Sequence, residues 1–315
     1  MHNFRNSILK LVLFSIVPFA VVCYAVYLTG KTTDDFYKRF TSPQQNALII
    51  GSSRAAGLSP AIIDSIVNKK YPKVKFYNYA FTWGHSPYGP AYLESIKKKL
   101  KTDTKNSLFI ISVEPSTLMV DKNKPDSPEY YFENDKSLAE TDFVNLNPNI
   151  PYLLENYDFS ITKVLNDKIR PPVNPMAEVK ILDNGEVDVI SLKDYPPKRK
   201  VVEMKRKMIL FQNLINGLKW SENRAKYLEK TIELLQQHGK VIMVRNPIDS
   251  TPYKIEQTRI PDFDEKMEQI AKKYKVSYTD YNLVPNDYKY LDLVHLNKKS
   301  RYEFSKVLGK KLLEN

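Results

Sequence analysis

Four apolar residues, Ala47-Leu48-Ile49-Ile50, run directly into Gly51-Ser52-Ser53-Arg54. So short an apolar run fits a strand buried on both faces, and a glycine at its end permits a sharp exit. Gly57-Leu58-Ser59-Pro60 then supplies a helix start, with Ser59 suited to the N-cap and Pro60 to the first turn. Strand, tight turn and helix in that order predict the opening unit of an open α/β sheet. In such sheets the turn after a strand lies at the carboxyl edge, where ligands and chemistry are placed. A serine hydroxyl held there is within reach of a base carried by another loop.

The rest of the chain keeps this rhythm, with one long interruption. Residues 74–80 predict a second strand, and residues 88–100 a helix whose Lys97-Lys98-Lys99 suits its C-terminus. Residues 108–113 predict a third strand, apolar enough for the interior of a parallel sheet. Strand–helix alternation at this spacing implies right-handed crossovers. From about residue 120 to 220 the alternation stops. That stretch is aromatic, with Tyr130, Tyr131, Phe132, Tyr152, Tyr157 and Phe159. Alternating residues around Asn184-Gly185 signal a hairpin. The stretch is expected to be an insertion, which either roofs the carboxyl edge or packs its aromatics as a separate subdomain. The rhythm resumes with a helix over 221–238, where Ala225, Leu228, Ile232 and Leu235 share a face and Gly239 is the expected C′ residue. A fourth strand over 240–245 ends at Asn246-Pro247. A helix over 262–274, a fifth strand over 276–280 and a final helix capped by Asn297 complete the pattern.

A nucleophilic serine needs a base, and the base an orienting carboxylate. Of four histidines, His2 precedes an apolar segment and His238 sits at a helix end, which leaves His85 and His295 in site-forming loops. His295 follows Asp292 by three residues, so one loop can carry base and carboxylate together. Asp-x-x-His alone is commonplace on surfaces. Paired with a serine turn after the first strand, it points to nucleophilic catalysis.

Gly51-Ser52-Ser53 resembles the Gly-Asp-Ser nucleophile block of the SGNH/GDSL hydrolases, and Asp292-x-x-His295 resembles the block with which that family ends. The resemblance covers roughly residues 46–115 and 235–315. It implies a flavodoxin-like α/β/α sandwich, here with a large insertion, and assigns Ser53 as nucleophile, His295 as base and Asp292 as its partner. Gly84 is the candidate for the family's second oxyanion donor. The third block, normally Gly-x-Asn-Asp, is replaced by Ser112-Val113-Glu114-Pro115, so its asparagine donor has no match. Ser52, Arg54, Glu114, His85, Arg245 and Asn246 complete the expected substrate and oxyanion environment, with an Arg54–Glu114 pair bracing the nucleophile turn and Arg245 competing for Glu114. The Gly-Ser-Ser form after an apolar N-terminus resembles anchored proteins of envelope O-acylation, of the D-alanyl-transfer and alginate O-acetylation type. It implies a multispanning O-acyltransferase partner and an acyl-bearing glycan or envelope polymer as substrate. The implied activity is a serine esterase or acyltransferase; the other class is a weakly active accessory or glycan-binding protein.

Residues 11–28 carry no formal charge, near the minimum for a membrane span. Arg5 and Lys10 before them predict a cytoplasmic N-terminus by the positive-inside rule. Residues 1–30 are therefore expected to be an anchor in the inner membrane, 31–45 a polar stalk, and 46–315 an extracytoplasmic domain. A cleaved signal peptide is the competing reading, opposed by the poor cleavage site Cys23-Tyr24-Ala25. The net charge of +12 invites a nucleic-acid reading. No nucleic-acid-binding signature accompanies it, and attraction to anionic headgroups or acidic polymers accounts for it more simply. No phosphate-binding glycine loop and no His-Glu-x-x-His occurs, and with four histidines and a single cysteine no metal site or cofactor is implied.

Overall fold

The computed structural model describes residues 2–32, 36–155, 177–192 and 197–314. Tyr157 and Phe159 of the aromatic insertion lie outside the described residues.

Five parallel strands form the central sheet: β1 (Ala47–Ile50), β2 (Phe76–Asn78), β3 (Ser107–Ser112), β4 (Gly239–Arg245) and β5 (Ser277–Asp280). Their spatial order is β2-β1-β3-β4-β5. The direction of winding reverses between β1 and β3, which makes the carboxyl edge there a crevice.

Side-chain alternation along the strands builds two cores. Leu48, Ile50, Phe109, Ile111, Val241 and Met243 face one helical layer, formed by Pro90–Lys99, Glu222–Gln236 and Phe263–Tyr274. Ala47, Ile49, Leu108, Ile110, Ile242 and Val244 face the other, formed by Pro60–Val67 and Lys298–Leu313. Each large apolar side chain so buried contributes about 1.5–3 kcal/mol. Asn297 caps the last helix as expected, its Oδ1 accepting from Ser300 N at 2.9 Å. Ser59 precedes Pro60–Val67 but makes no capping bond through its side chain.

Three local expectations change. Gly239 is no C′ residue: it opens β4 opposite Ser107, where an added Cβ would lie 2.1 Å from the Ser107 carbonyl oxygen. Close backbone approach, rather than a left-handed turn, is what requires glycine there. Residues 37–41 belong to the domain rather than to a stalk. Tyr37–Thr41 is a short helix whose Tyr37 and Phe40 are buried against Tyr152, with ring centroids 5.6 and 5.3 Å away. A further helix, Ser250–Arg259, follows β4 where the sequence shows no apolar periodicity; its buried residues are Pro252 and Glu256.

The insertion leaves and returns through a short antiparallel pair, Met119–Asp121 with Leu218–Trp220. The expected hairpin is present, Ala177–Ile181 with Val187–Leu192. It covers the outer edge of β2, where Asn78 N donates to the Asn184 carbonyl at 2.8 Å. Covering this edge removes an aggregation-prone strand border. The part that reaches the carboxyl edge is the helix Pro197–Gly217.

The N-terminal helix spans His2–Thr32, and within it Phe4–Ala25 has a mean hydropathy of 2.3 with none of that window buried. It is long and apolar enough to cross a membrane.

Gly239→Ala is expected to lower stability by about 1–3 kcal/mol through overpacking against Ser107, without changing the fold. Urea unfolding followed by circular dichroism measures it, and an unchanged midpoint would contradict the close approach.

Candidate active site at the carboxyl edge

The turn after β1 is held from three sides. Gly51 has φ of +143°, and a Cβ on it would lie 2.6 Å from Ser112 Cβ, so any other residue would force β1 and β3 apart. Gly51 N donates to Tyr92 Oη at 2.9 Å, and Ser86 Oγ donates to the Gly51 carbonyl at 2.7 Å. Beyond Gly51 the two serines diverge. Ser52 is fully buried, and its hydroxyl donates to Glu114 Oε1 at 2.5 Å. Ser53 opens the helical turn Ser53–Ala56 and faces a cavity.

Ser53 Oγ lies 2.9 Å from His295 Nε2, and His295 Nδ1 lies 2.8 Å from Asp292 Oδ1. The same carboxylate oxygen accepts the His295 backbone N–H at 3.2 Å, while Asp292 Oδ2 pairs with Lys207 at 3.2 Å. Burial alone would raise the Asp292 carboxyl. The hydrogen bond and charge of His295, with Lys207 beside them, hold it well below the usual carboxylate range. An ionised carboxylate on Nδ1 leaves Nε2 free to accept the serine proton.

Beneath the serine lies a buried charge network. Arg54 Nε is 3.3 Å from Glu114 Oε2, so the expected pair exists. A shorter contact, at 2.5 Å, runs from Arg54 to Glu256. Arg245 does not compete for Glu114. It pairs with Glu256 at 2.9 Å, Asp264 at 2.8 Å and Asp280 at 3.4 Å, and its guanidinium lies over the Tyr253 and Phe263 rings. Glu256 is fully buried; burial would raise its carboxyl, but the two guanidiniums pull it below its ordinary value. Burial pushes Asp280 upward. Tyr253 Oη, at 2.8 Å, and Asn282 Nδ2, at 2.7 Å, donate to it.

The cavity over Ser53 has a volume of about 270 Å³. Ser53, Arg54, Glu114, Asp292 and His295 line it. Ser52, buried beneath it, and four other candidates stand apart from it. His85 turns to Thr82 Oγ1, 2.7 Å from its Nδ1, and stacks near Phe36. Gly84 yields its place in the lining to the adjacent Trp83. Arg245 is drawn inward by its carboxylates. Asn246 is buried, with no hydrogen bond to either side-chain polar atom among the described residues. Sequence reasoning did not single out Glu256, Lys207, Trp83 or Phe211. The only signal for Lys207 is its place in the basic run Lys205-Arg206-Lys207. Among the described residues no group of three or more His, Cys, Asp and Glu could hold a metal ion.

In comparisons with known proteins, no family model and no curated protein matches the chain.

The network yields two measurable consequences. Glu256→Gln leaves two buried guanidiniums short of a counter-charge and is expected to destabilise by about 3–5 kcal/mol. In a double-mutant cycle, Arg54→Ala and Glu256→Ala are expected to couple more strongly than Arg54→Ala and Glu114→Ala, because the Glu256 contact is the shorter; equal losses that simply add would remove the network as an energetic unit. Acid behaviour carries a definite sign. Asp292 and Glu256 sit below their ordinary values of 3.8 and 4.5, so their stabilisation is complete above those values and is lost as the pH falls below them. The melting temperature of the wild type is therefore expected to drop as pH falls below about 4, and Glu256→Gln to show a shallower drop. A parallel pair of pH curves would count against Glu256 being ionised.

Proposed function

We propose that the chain is a membrane-anchored serine ester hydrolase or O-acyltransferase of the SGNH type, acting on acyl esters of an envelope glycan or polymer. The observation that carries this reading is the continuous relay from Ser53 Oγ through His295 to Asp292, with steps of 2.9 and 2.8 Å. Those are working distances for a nucleophile, base and orienting carboxylate. The flavodoxin-like strand order supports it, because Ser53 then lies beside the switch point between β1 and β3.

In this reading Ser53 Oγ attacks the acyl carbonyl carbon while His295 Nε2 takes its proton. The oxyanion forms next to the Ser53 backbone N–H. Collapse releases the alkoxide, which receives the proton from His295 and leaves an acyl-serine. Attack by water or by a sugar hydroxyl, with His295 again as base, frees the serine. Asp292 remains ionised through the cycle and fixes the imidazole tautomer.

The apolar N-terminal helix supports anchoring in the inner membrane. The basic residues at its start support an extracytoplasmic domain, where a multispanning O-acyltransferase partner and an envelope polymer would be met. A second reading, an accessory or glycan-binding role with weak catalysis, draws on two features. Glu114 stands where the resemblance expects an oxyanion-donating asparagine, and Gly84 does not line the cavity.

Labelling with a fluorophosphonate and peptide mapping is expected to place the adduct on Ser53. Ser53→Ala is expected to lower ester turnover by at least about 10⁴-fold while leaving the circular dichroism spectrum unchanged. A label on Ser52 would move the nucleophile by one residue, whereas an unlabelled protein that still binds glycan would favour the second reading.

A further inference from the structure

The cavity that receives Ser53 is mostly hydrocarbon. From the helix Pro197–Gly217 come Met208, Phe211 and Leu214, spaced three residues apart and so on one helix face. Opposite them stand Trp83, Leu293 and Val294, from two separate loops, and Pro252, from the helix Ser250–Arg259. Trp83 is itself packed against Phe132, with ring centroids 5.4 Å apart.

We infer that this cavity holds an aliphatic acyl chain of about six to eight carbons, rather than an acetyl or aminoacyl group; the inference rests on Ser53 being the acyl acceptor. Size is the first argument. A volume of about 270 Å³ is roughly nine times the share of one liquid water, and a methylene is of similar bulk. An acetyl methyl would leave most of the apolar lining without contacts. Charge is the second argument. An aminoacyl ammonium would need a carboxylate to receive it, and both lining carboxylates are engaged. Asp292 serves His295 and Lys207. Glu114 accepts from Ser52 and Ser116 and pairs with Arg54. The cavity is therefore polar at the reacting serine and apolar around it, the pattern suited to an ester carbonyl carrying a hydrocarbon tail.

The test measures acylation alone, so that it does not depend on the natural acceptor. Alkyl fluorophosphonates with methyl, butyl, hexyl and octyl chains phosphonylate a reactive serine: the Ser53 oxygen bonds to phosphorus, fluoride leaves, and the serine proton passes to His295. The second-order labelling rate of the full-length protein is expected to rise roughly fourfold per methylene up to about hexyl. Phe211→Ala is expected to flatten this slope, and Leu214→Trp to move the optimum to shorter chains. p-Nitrophenyl acetate, hexanoate and an alanyl ester, compared by kcat/KM, are expected to rank hexanoate first. Ser53 labelled equally fast by all chain lengths, or fastest by methyl, would overturn the acyl-chain site and leave the serine chemistry standing. Absence of any Ser53 adduct together with absence of turnover on every ester would overturn the functional reading, and this inference with it.

Discussion

A fully buried carboxylate between two buried guanidiniums sets the geometry of the carboxyl edge. Glu256 takes Arg54 on one oxygen at 2.5 Å and Arg245 on the other at 2.9 Å. Arg54 sits in the turn after β1, and Arg245 ends β4. Glu114 follows β3, and Asp280 ends β5. One connected set of charges thus ties the ends of four strands to two helices, through Glu256 and Asp264. A buried charge without its partner costs several kcal/mol, so each member constrains where the others can be. The serine turn inherits that rigidity. Gly51 cannot move off Ser112, Ser52 is bonded to Glu114, and Arg54 is fixed from beyond. Ser53, between them, has little backbone freedom left.

The most legible parts of the sequence were those written in local pattern. β1 begins and ends where its apolar run does, and the other core strands shift by only one or two residues at their ends. The Asn184-Gly185 hairpin and the Asn297 cap followed from residue type and spacing alone. Ser53, Asp292 and His295 could be paired because turns after strands of a parallel sheet converge on one edge, whatever separates them in sequence. Glu256 could not be found in this way. Its helix has no apolar stripe to reveal it, and its role depends on two arginines that reach it from distant strands. Gly239 departs from expectation for a related reason: a glycine demanded by a neighbouring backbone looks the same in sequence as one demanded by a left-handed turn. Residues 37–41 look polar, yet Tyr37 and Phe40 are buried; two aromatics three residues apart among charged neighbours make too short a pattern to register.

The insertion divides its work by element. Its two ends are stitched by the pair Met119–Asp121 and Leu218–Trp220, so the sheet is not disturbed by its length. The hairpin covers the β2 edge. The helix Pro197–Gly217 returns across the carboxyl edge and contributes both charge and hydrocarbon to the cavity, Lys207 on Asp292 and Phe211 beside it. A single element therefore touches the carboxylate that orients His295 and the wall that would hold an acyl chain. Movement of this helix would alter both at once.

On the proposed SGNH-type reading, Glu114 in place of an asparagine poses an electrostatic problem that the network addresses. On the serine-acylation reading, negative charge develops on the substrate oxygen close to Ser53, and an unbalanced Glu114 nearby would oppose it. Glu114 is not unbalanced. Ser52 and Ser116 donate to its Oε1, and Arg54 faces its Oε2. Arg54 is also shared with Glu256, so its positive charge is already committed before any oxyanion appears. The pair Arg54–Glu114 therefore presents the cavity with a nearly neutral, fixed dipole in place of an asparagine amide. Such a dipole stabilises an oxyanion only from its guanidinium end. On that reading, catalytic strength depends on whether the substrate oxygen lies nearer Arg54 or Glu114, and the lining of Trp83 and Phe211, which would seat the acyl group, decides between them.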